Sequence, residues 1–229
     1  MFRYRVTFKK EGPVRWIGHL DVARAFERAC RRAALPLCYS EGFNPRPRMV
    51  FAMPLPVGVF GRRELVDLYL RTPVSPEAVK ARLLDALPEG LRVDVVKRVP
   101  RDAPALMAVV NRSTYRIEGE MDRGIVPEAV AAAVQAVLKA KEIKSTRYGK
   151  NKVRERDIRP GIFCFEAQYK SGMLTGTMTV QAGQQGNVRP EEVVAAFIRF
   201  GGFKADPRDF TYYRTGLFTV TSDRMVSLG

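Results

Sequence analysis

The chain has 229 residues, enough for one large domain or two ordinary ones, each burying a core of its own. Its 39 Lys plus Arg against 24 Asp plus Glu leave a formal net charge of +15, spread over both halves: residues 1–103 hold 20 basic and 11 acidic side chains, the rest 19 and 13. That excess points to a polyanion, nucleic acid ahead of membrane, because no basic amphipathic helix carries bulky apolar anchors.

No apolar run is long enough to cross a bilayer, and the opening MFRYRVTFKK alternates where a signal peptide would need an apolar core, so a cytoplasmic protein is expected. Cys30, Cys38 and Cys164 lack the close pairs of a zinc or redox motif and fit a reducing compartment.

In chain order, Phe2, Tyr4, Val6 and Phe8 alternate with Arg3, Arg5, Thr7 and Lys9, which predicts a half-buried strand with a basic outer face. A helix is expected over 19–34, with Leu20, Ala23, Phe26, Cys30 and Ala33 inward and Arg24, Arg28, Arg31 and Arg32 outward. Strands follow at 48–53 and 64–71, a helix at 76–87 and a strand at 91–98. Segment 99–106, VPRDAPAL, reads as a linker. Beyond it a strand is expected at 107–118, a helix at 127–141, strands near 152–158, 162–170 and 173–181, a helix at 190–200 and a strand at 210–220. Pro76, Pro127 and Pro190 each stand at a first helical position with Glu next, a neighbour that suits the positive end of the helix dipole.

The order β-α-β-β-α-β, repeated with one extra strand, predicts an α+β protein of two ferredoxin-like (split β-α-β) units, antiparallel sheets with helices on one face. The expected domains are 1–103 and 104–229.

Residues 41–58, EGFNPRPRMVFAMPLPVG, carry Pro45, Pro47, Pro54 and Pro56. Proline fixes its own φ and extends the residue before it, so the stretch reads as a stiff rail that holds Arg46 and Arg48 ready for phosphate. Segment 139–159 has nine basic and three acidic side chains around Tyr148 and Gly149, and reads as a basic loop suited to phosphate contact and base stacking.

The expected nucleic-acid contacts are Arg3, Arg5, Arg24, Arg28, Arg31, Arg46, Arg48, Arg147, Lys150, Lys152 and Arg154, with Tyr39, Phe43 and Tyr148 as stacking faces. Two residues are weak catalytic candidates. His19, the single histidine, opens the first helix and could act as an acid or base on a 2′-hydroxyl, or cap the helix. Asp157, set among arginines, could be a nucleophile or a structural ion-pair partner. One histidine excludes a histidine-rich metal site, and neither a glycine-rich phosphate loop nor a Ser/His/Asp set is present. No cofactor is expected.

His19-Leu20-Asp21 before an Arg-rich helix, then Tyr39-Ser40-Glu41-Gly42-Phe43-Asn44-Pro45-Arg46-Pro47 and Phe51-Ala52-Met53-Pro54-Leu55-Pro56-Val57-Gly58, resembles the radical-SAM-linked protein family. This uncharacterised bacterial family is fused to, or encoded beside, cobalamin-binding radical SAM proteins. The likeness is specific over 3–72 and looser from 107 onward, where it rests on Asp157-Ile158-Arg159-Pro160 and Arg189-Pro190. The resemblance implies work on RNA beside a radical SAM partner and brings no catalytic residues. Cys30, Cys38 and Cys164 cannot supply the close cysteine triplet of a radical SAM cluster, so the chain is not itself that enzyme.

An RNA-binding accessory protein is therefore the leading expectation. The rivals are an RNA enzyme, by fold-level analogy with metal-independent endoribonucleases using His19 or pseudouridine synthases using Asp157, and a protein-docking subunit that uses the apolar residues 50–59. The glycine-rich Arg-x-Asp turn of the synthases is missing around Asp157.

Overall fold

The alternation at the N-terminus folds as β1 (Phe2–Lys10) in a computed structural model that describes residues 1–100, 102–148, 153–221 and 224–229, with backbone alone at 147, 148, 153 and 154. β1 pairs antiparallel on both sides, with β3 (Phe60–Leu70) and with β4 (Leu91–Val99). Tyr4, Val6 and Phe8 face a core that α1 (His19–Arg32) and α2 (Pro76–Ala86) close with Phe26, Ala29, Val79 and Leu83. Phe8 and Phe26 meet edge to face at 4.7 Å. Ser75 caps α2, its hydroxyl accepting from the N–H of Ala78 at 3.2 Å, and Pro76 occupies the first turn, where its missing N–H costs nothing.

The inward face of α1 differs from the expected one. Val22, Ala25, Phe26, Ala29 and Cys30 are buried, while Leu20 is 69% exposed. The buried set follows an unbroken i, i+3, i+4, i+7, i+8 stripe, which covers the sheet better than the stripe through Leu20.

The proline rail is not one extended segment. β2 (Met49–Phe51) is a three-residue strand on β3, and the chain turns on either side of it. Gly42 (φ +119) and Gly58 (φ +85) take up backbone angles that a side chain would resist.

The strand expected from 107 begins later, as β5 (Arg112–Glu120), after a helical turn α3 (Leu106–Val109). Leu106 and Val110 are buried while Ala108 between them is exposed, although a strand would turn all three to one face. Then come α4 (Pro127–Lys139), β6 (Lys144–Tyr148), β7 (Val153–Asp157), β8 (Ile162–Lys170), β9 (Met173–Gln181), α5 (Pro190–Gly201), β10 (Thr211–Thr221) and β11 (Arg224–Ser227). β6 was expected as loop: among the described residues it pairs with β7 alone in a polar two-stranded sheet, so its sequence has no apolar alternation to announce it.

The fold is mixed α+β with mostly antiparallel pairing. The chain divides into two units, Met1–Asn111 with Arg214–Gly229, and Arg112–Tyr213. In the first, strands run β4-β1-β3-β10, with β2 on β3 and β11 on β10. In the second, the order is β5-β9-β8, the β6-β7 hairpin is separate, and Phe165 meets Phe197 edge to face at 5.6 Å.

Candidate nucleic-acid interface

Three residues of the first unit are stitched together by backbone bonds. The N–H of Cys38 donates to the carbonyl of Tyr69 at 2.7 Å, that of Arg48 to Cys38 at 2.7 Å, and that of Tyr69 to Arg48 at 3.2 Å. The intervening chain folds back on itself. The N–H of Ser40 donates to the carbonyl of Arg46 at 2.8 Å, and the N–H of Arg46 donates to the Ser40 hydroxyl at 3.0 Å. Pro45 and Pro47 thus stiffen a closed loop instead of a straight rail. Its tip lifts Phe43 wholly into water, at 105% relative exposure, and Tyr39, Arg46 and Arg48 are exposed with it.

Beside this loop lies an open concavity of about 850 Å³, lined by Met1, Phe2, Arg3, Arg48, Tyr69, Arg98, Val99, Pro100, Ala103 and Ala105. The Arg48 guanidinium lies 5.4 Å from the Tyr69 ring and that of Arg98 lies 4.9 Å from the Phe2 ring. A cation over an aromatic face is attracted to the ring while its charge stays at the surface. Phe2, Tyr69 and Arg98 were not picked out in the sequence. They come from three strand ends, and no local spacing joins them.

On the solvent side of α1, Arg24, Arg28 and Arg31 are exposed as expected. Arg24 reaches Asp21 at 3.2 Å and Arg31 reaches Glu27 at 2.6 Å, exposed pairs that add little stability.

Arg3 and Arg5 do something else. Both are turned onto Asp67, which is fully buried: Arg3 Nε donates to Asp67 Oδ2 at 2.8 Å, and Arg5 Nε donates to Oδ1 at 2.9 Å. Arg3 also donates to the carbonyls of Ala103 and Pro104 at 2.8 and 2.9 Å. At 7% exposure, Arg3 has no free edge for phosphate. Arg3 and Arg5, expected to grip phosphate, are instead engaged with Asp67, because the face of the alternating strand that looked solvent-exposed is covered.

A second buried charge group sits under His19. Arg214 Nε donates to Glu64 Oε1 at 2.8 Å, while its Nη atoms donate to the carbonyls of Pro54 and Met53 at 3.2 and 3.0 Å. Lys10 is buried and donates to the carbonyls of Arg15 and Ile17 at 3.1 and 2.9 Å. Burial first, and then the Arg214 cation, pull the Lys10 pKa down, against the pull of Glu64.

The His19 ring stands edge-on to Phe51 at 5.1 Å over a void of about 10 Å³, the size of one water. Burial lowers its pKa from 6.5, with Arg214 and Lys10 adding to the effect and Glu64 opposing it. Lys10, Glu64, Asp67 and Arg214 escaped the sequence reading. The available signal was two acids inside the apolar strand ELVDLYL, since a buried carboxylate needs a partner.

In the second unit, Asp157 Oδ1 accepts from the N–H of Ile143 at 2.8 Å and from that of Arg159 at 2.9 Å, tying the foot of the β6-β7 hairpin. Glu192 on α5 holds the hairpin through Arg156 at 2.9 Å and Ser145 at 2.7 Å. Arg147 and Arg154 are opposed in register, as are Tyr148 and Val153. The side chains of Arg147, Tyr148 and Arg154, and the whole of Lys150 and Lys152, lie outside the described residues. Among the described residues no group of three or more His, Cys, Asp or Glu could hold a metal ion, and no helix is long and apolar enough to cross a membrane.

Residues 3–190 match the model of a family described as an uncharacterized protein conserved in bacteria (DUF2344), and the chain belongs to that family. No curated protein matches it in sequence. Among solved structures it is similar to a Cbf5-Nop10-Gar1 complex, at 13% identity and a TM-score of 0.49, over 93% of this chain and 48% of that one. It is also similar to an unknown protein from Galdieria sulphuraria, at 14% identity and a TM-score of 0.27, over 96% of this chain and 99% of that one. The chain spans about half the length of the first of these.

Proposed function

We propose that this member of a conserved bacterial family is an RNA-binding accessory protein, which recognises or positions a tRNA or rRNA for a separate enzyme. The radical SAM class of modification enzyme, implied by the sequence resemblance, is the partner we assign to it. The observation that carries the reading is the open concavity of the first unit, where Arg48 and Arg98 lie over Tyr69 and Phe2 beside an exposed loop bearing Arg46 and Phe43. Cations with aromatic faces are what a nucleic-acid surface requires, and the chain's excess charge of +15 supplies the long-range attraction. The element orders β1-α1-β2-β3-α2-β4 and β5-α4-β8-β9-α5-β10 support ferredoxin-like units, the second interrupted by the β6-β7 hairpin.

The same geometry weighs against catalysis by this chain. His19 faces a void with room for about one water and no substrate, and Asp157 spends a carboxylate oxygen on two backbone N–H groups.

A second reading, docking of the partner protein, is favoured by one observation. Trp16 is 61% exposed and Val57 is 55% exposed, and Gly58, next to Val57, packs on the Trp16 ring. Large exposed apolar side chains of this kind suit a protein contact. The two readings are compatible, since RNA and partner would use different residues.

The test is RNA affinity measured against salt. With four to six phosphates engaged, log K should fall with log salt at a slope of about −3 to −4. A flat response, or no binding to any RNA at low salt, overturns the reading.

A further inference from the structure

Resting on the RNA-binding reading, we infer that the concavity of the first unit takes unpaired nucleotides, with their bases stacked on its Arg-aromatic layers and on the ring of Phe43, and does not bind duplex RNA. Charge alone cannot make this distinction, because a duplex offers phosphates at least as densely as a strand does. The aromatic groups can. A ring face gains by stacking only on an exposed base face, and in a duplex every base face except at the ends is already covered.

Four such groups belong to the first unit, two lining the concavity and two on the loop that leads to Arg48. Phe43 has its whole side chain in water and Tyr39 is 39% exposed on the same closed loop. That loop is anchored through Arg48 to Tyr69, whose ring carries the Arg48 guanidinium, and Arg98 covers Phe2 across the concavity. An exposed guanidinium over a ring offers its outer side to a base and its N–H donors to a phosphate, so each pair can serve one nucleotide at both ends.

The volume of about 850 Å³ falls within the range of about 300–1,000 Å³ of pockets that enclose small ligands. That is room for nucleotide units. The loop closures through Ser40, Arg46, Cys38 and Tyr69 fix where Phe43 stands before anything binds, which limits the ordering cost. An RNA end, bulge or loop, or a strand held open by the partner enzyme, would meet these requirements.

Three probes of equal length separate the possibilities: a single-stranded ribo-oligonucleotide of mixed sequence, its blunt duplex, and an abasic strand with the same phosphates. The base-bearing strand should bind at least tenfold tighter than either of the others. Phe43→Ala should weaken it about 5- to 150-fold, the effect of losing one stacked base, while leaving the abasic strand's affinity unchanged. The Phe43 side chain stands wholly in water, so its replacement cannot unfold the protein.

Equal binding of all three probes with a steep salt slope would overturn the inference and leave a phosphate-reading RNA protein. Failure of all three at low salt would overturn the RNA reading as well. Should Phe43→Ala bind the strand normally but lose a copurifying protein, the loop is a protein-docking element and the inference falls.

Discussion

Arg3 and Arg48 carry the same guanidinium and are put to opposite uses. Arg3, with Arg5, is folded over the fully buried Asp67, and Arg214 is folded over Glu64, so one charge of each group is offset by a buried carboxylate and the guanidinium groups contribute to the shape of the first unit. Arg48 and Arg98 are exposed, lie on aromatic rings and keep their charge available. The contrast teaches that a net charge of +15 is not one property. Breaking a buried ion pair leaves an unpaired charge in a poor solvent, whereas removing an exposed arginine costs the fold almost nothing and deprives the ligand of its partner.

The largest effect should therefore come from the buried side. Asp67→Ala strands Arg3 and Arg5 and is expected to cost about 3–5 kcal/mol, seen as a lower midpoint in urea. Glu64→Ala, which strands Arg214 and loosens its hold on the carbonyls of Met53 and Pro54, belongs in the same class. If either variant unfolds like the wild type, these pairs are not holding the unit together.

A middle-sized effect concerns the second unit. Lys150→Ala, Lys152→Ala and Arg154→Ala combined should reduce the RNA salt slope by about 1–2, as two or three phosphates at about 0.7 each require, with the unfolding midpoint unmoved. An unchanged slope would confine binding to the first unit.

The smallest effect is a pH dependence. The folded state lowers the pKa of His19 below 6.5, so on acidification the unfolded chain takes up this proton first. The stability associated with neutral His19 is complete above pH 6.5 and is lost as pH falls from there through the lower folded value. His19→Gln should flatten this part of the stability profile; a profile of unchanged steepness below pH 6.5 would remove the histidine from the account.

What could be read from the sequence follows the same division between local and distant partners. β1, α4, β8 and β9 were legible because one face of each is apolar at the right period, and the helix starts at Pro76, Pro127 and Pro190 because proline fits the first turn. α1 was legible as a helix and misread in its face, since stripes through Leu20 and through Val22 both carry apolar residues. Of the candidate site, the loop bearing Tyr39, Phe43, Arg46 and Arg48 stood out through its prolines and Gly42. Its neighbours Phe2, Tyr69 and Arg98 did not, because they are brought there by strand pairing. Arg3 and Arg5 lie more than sixty residues from Asp67, and Arg214 lies 150 from Glu64, so nothing local marked them as buried.

The most direct test of this division is one paired measurement on Arg48→Ala/Arg98→Ala: RNA affinity across a salt series and the unfolding midpoint of the same sample. The account predicts a salt slope smaller by about 1.4, because two phosphates go without their arginines, with stability within about 0.5 kcal/mol of wild type. Unchanged RNA binding in a stably folded double variant would contradict it.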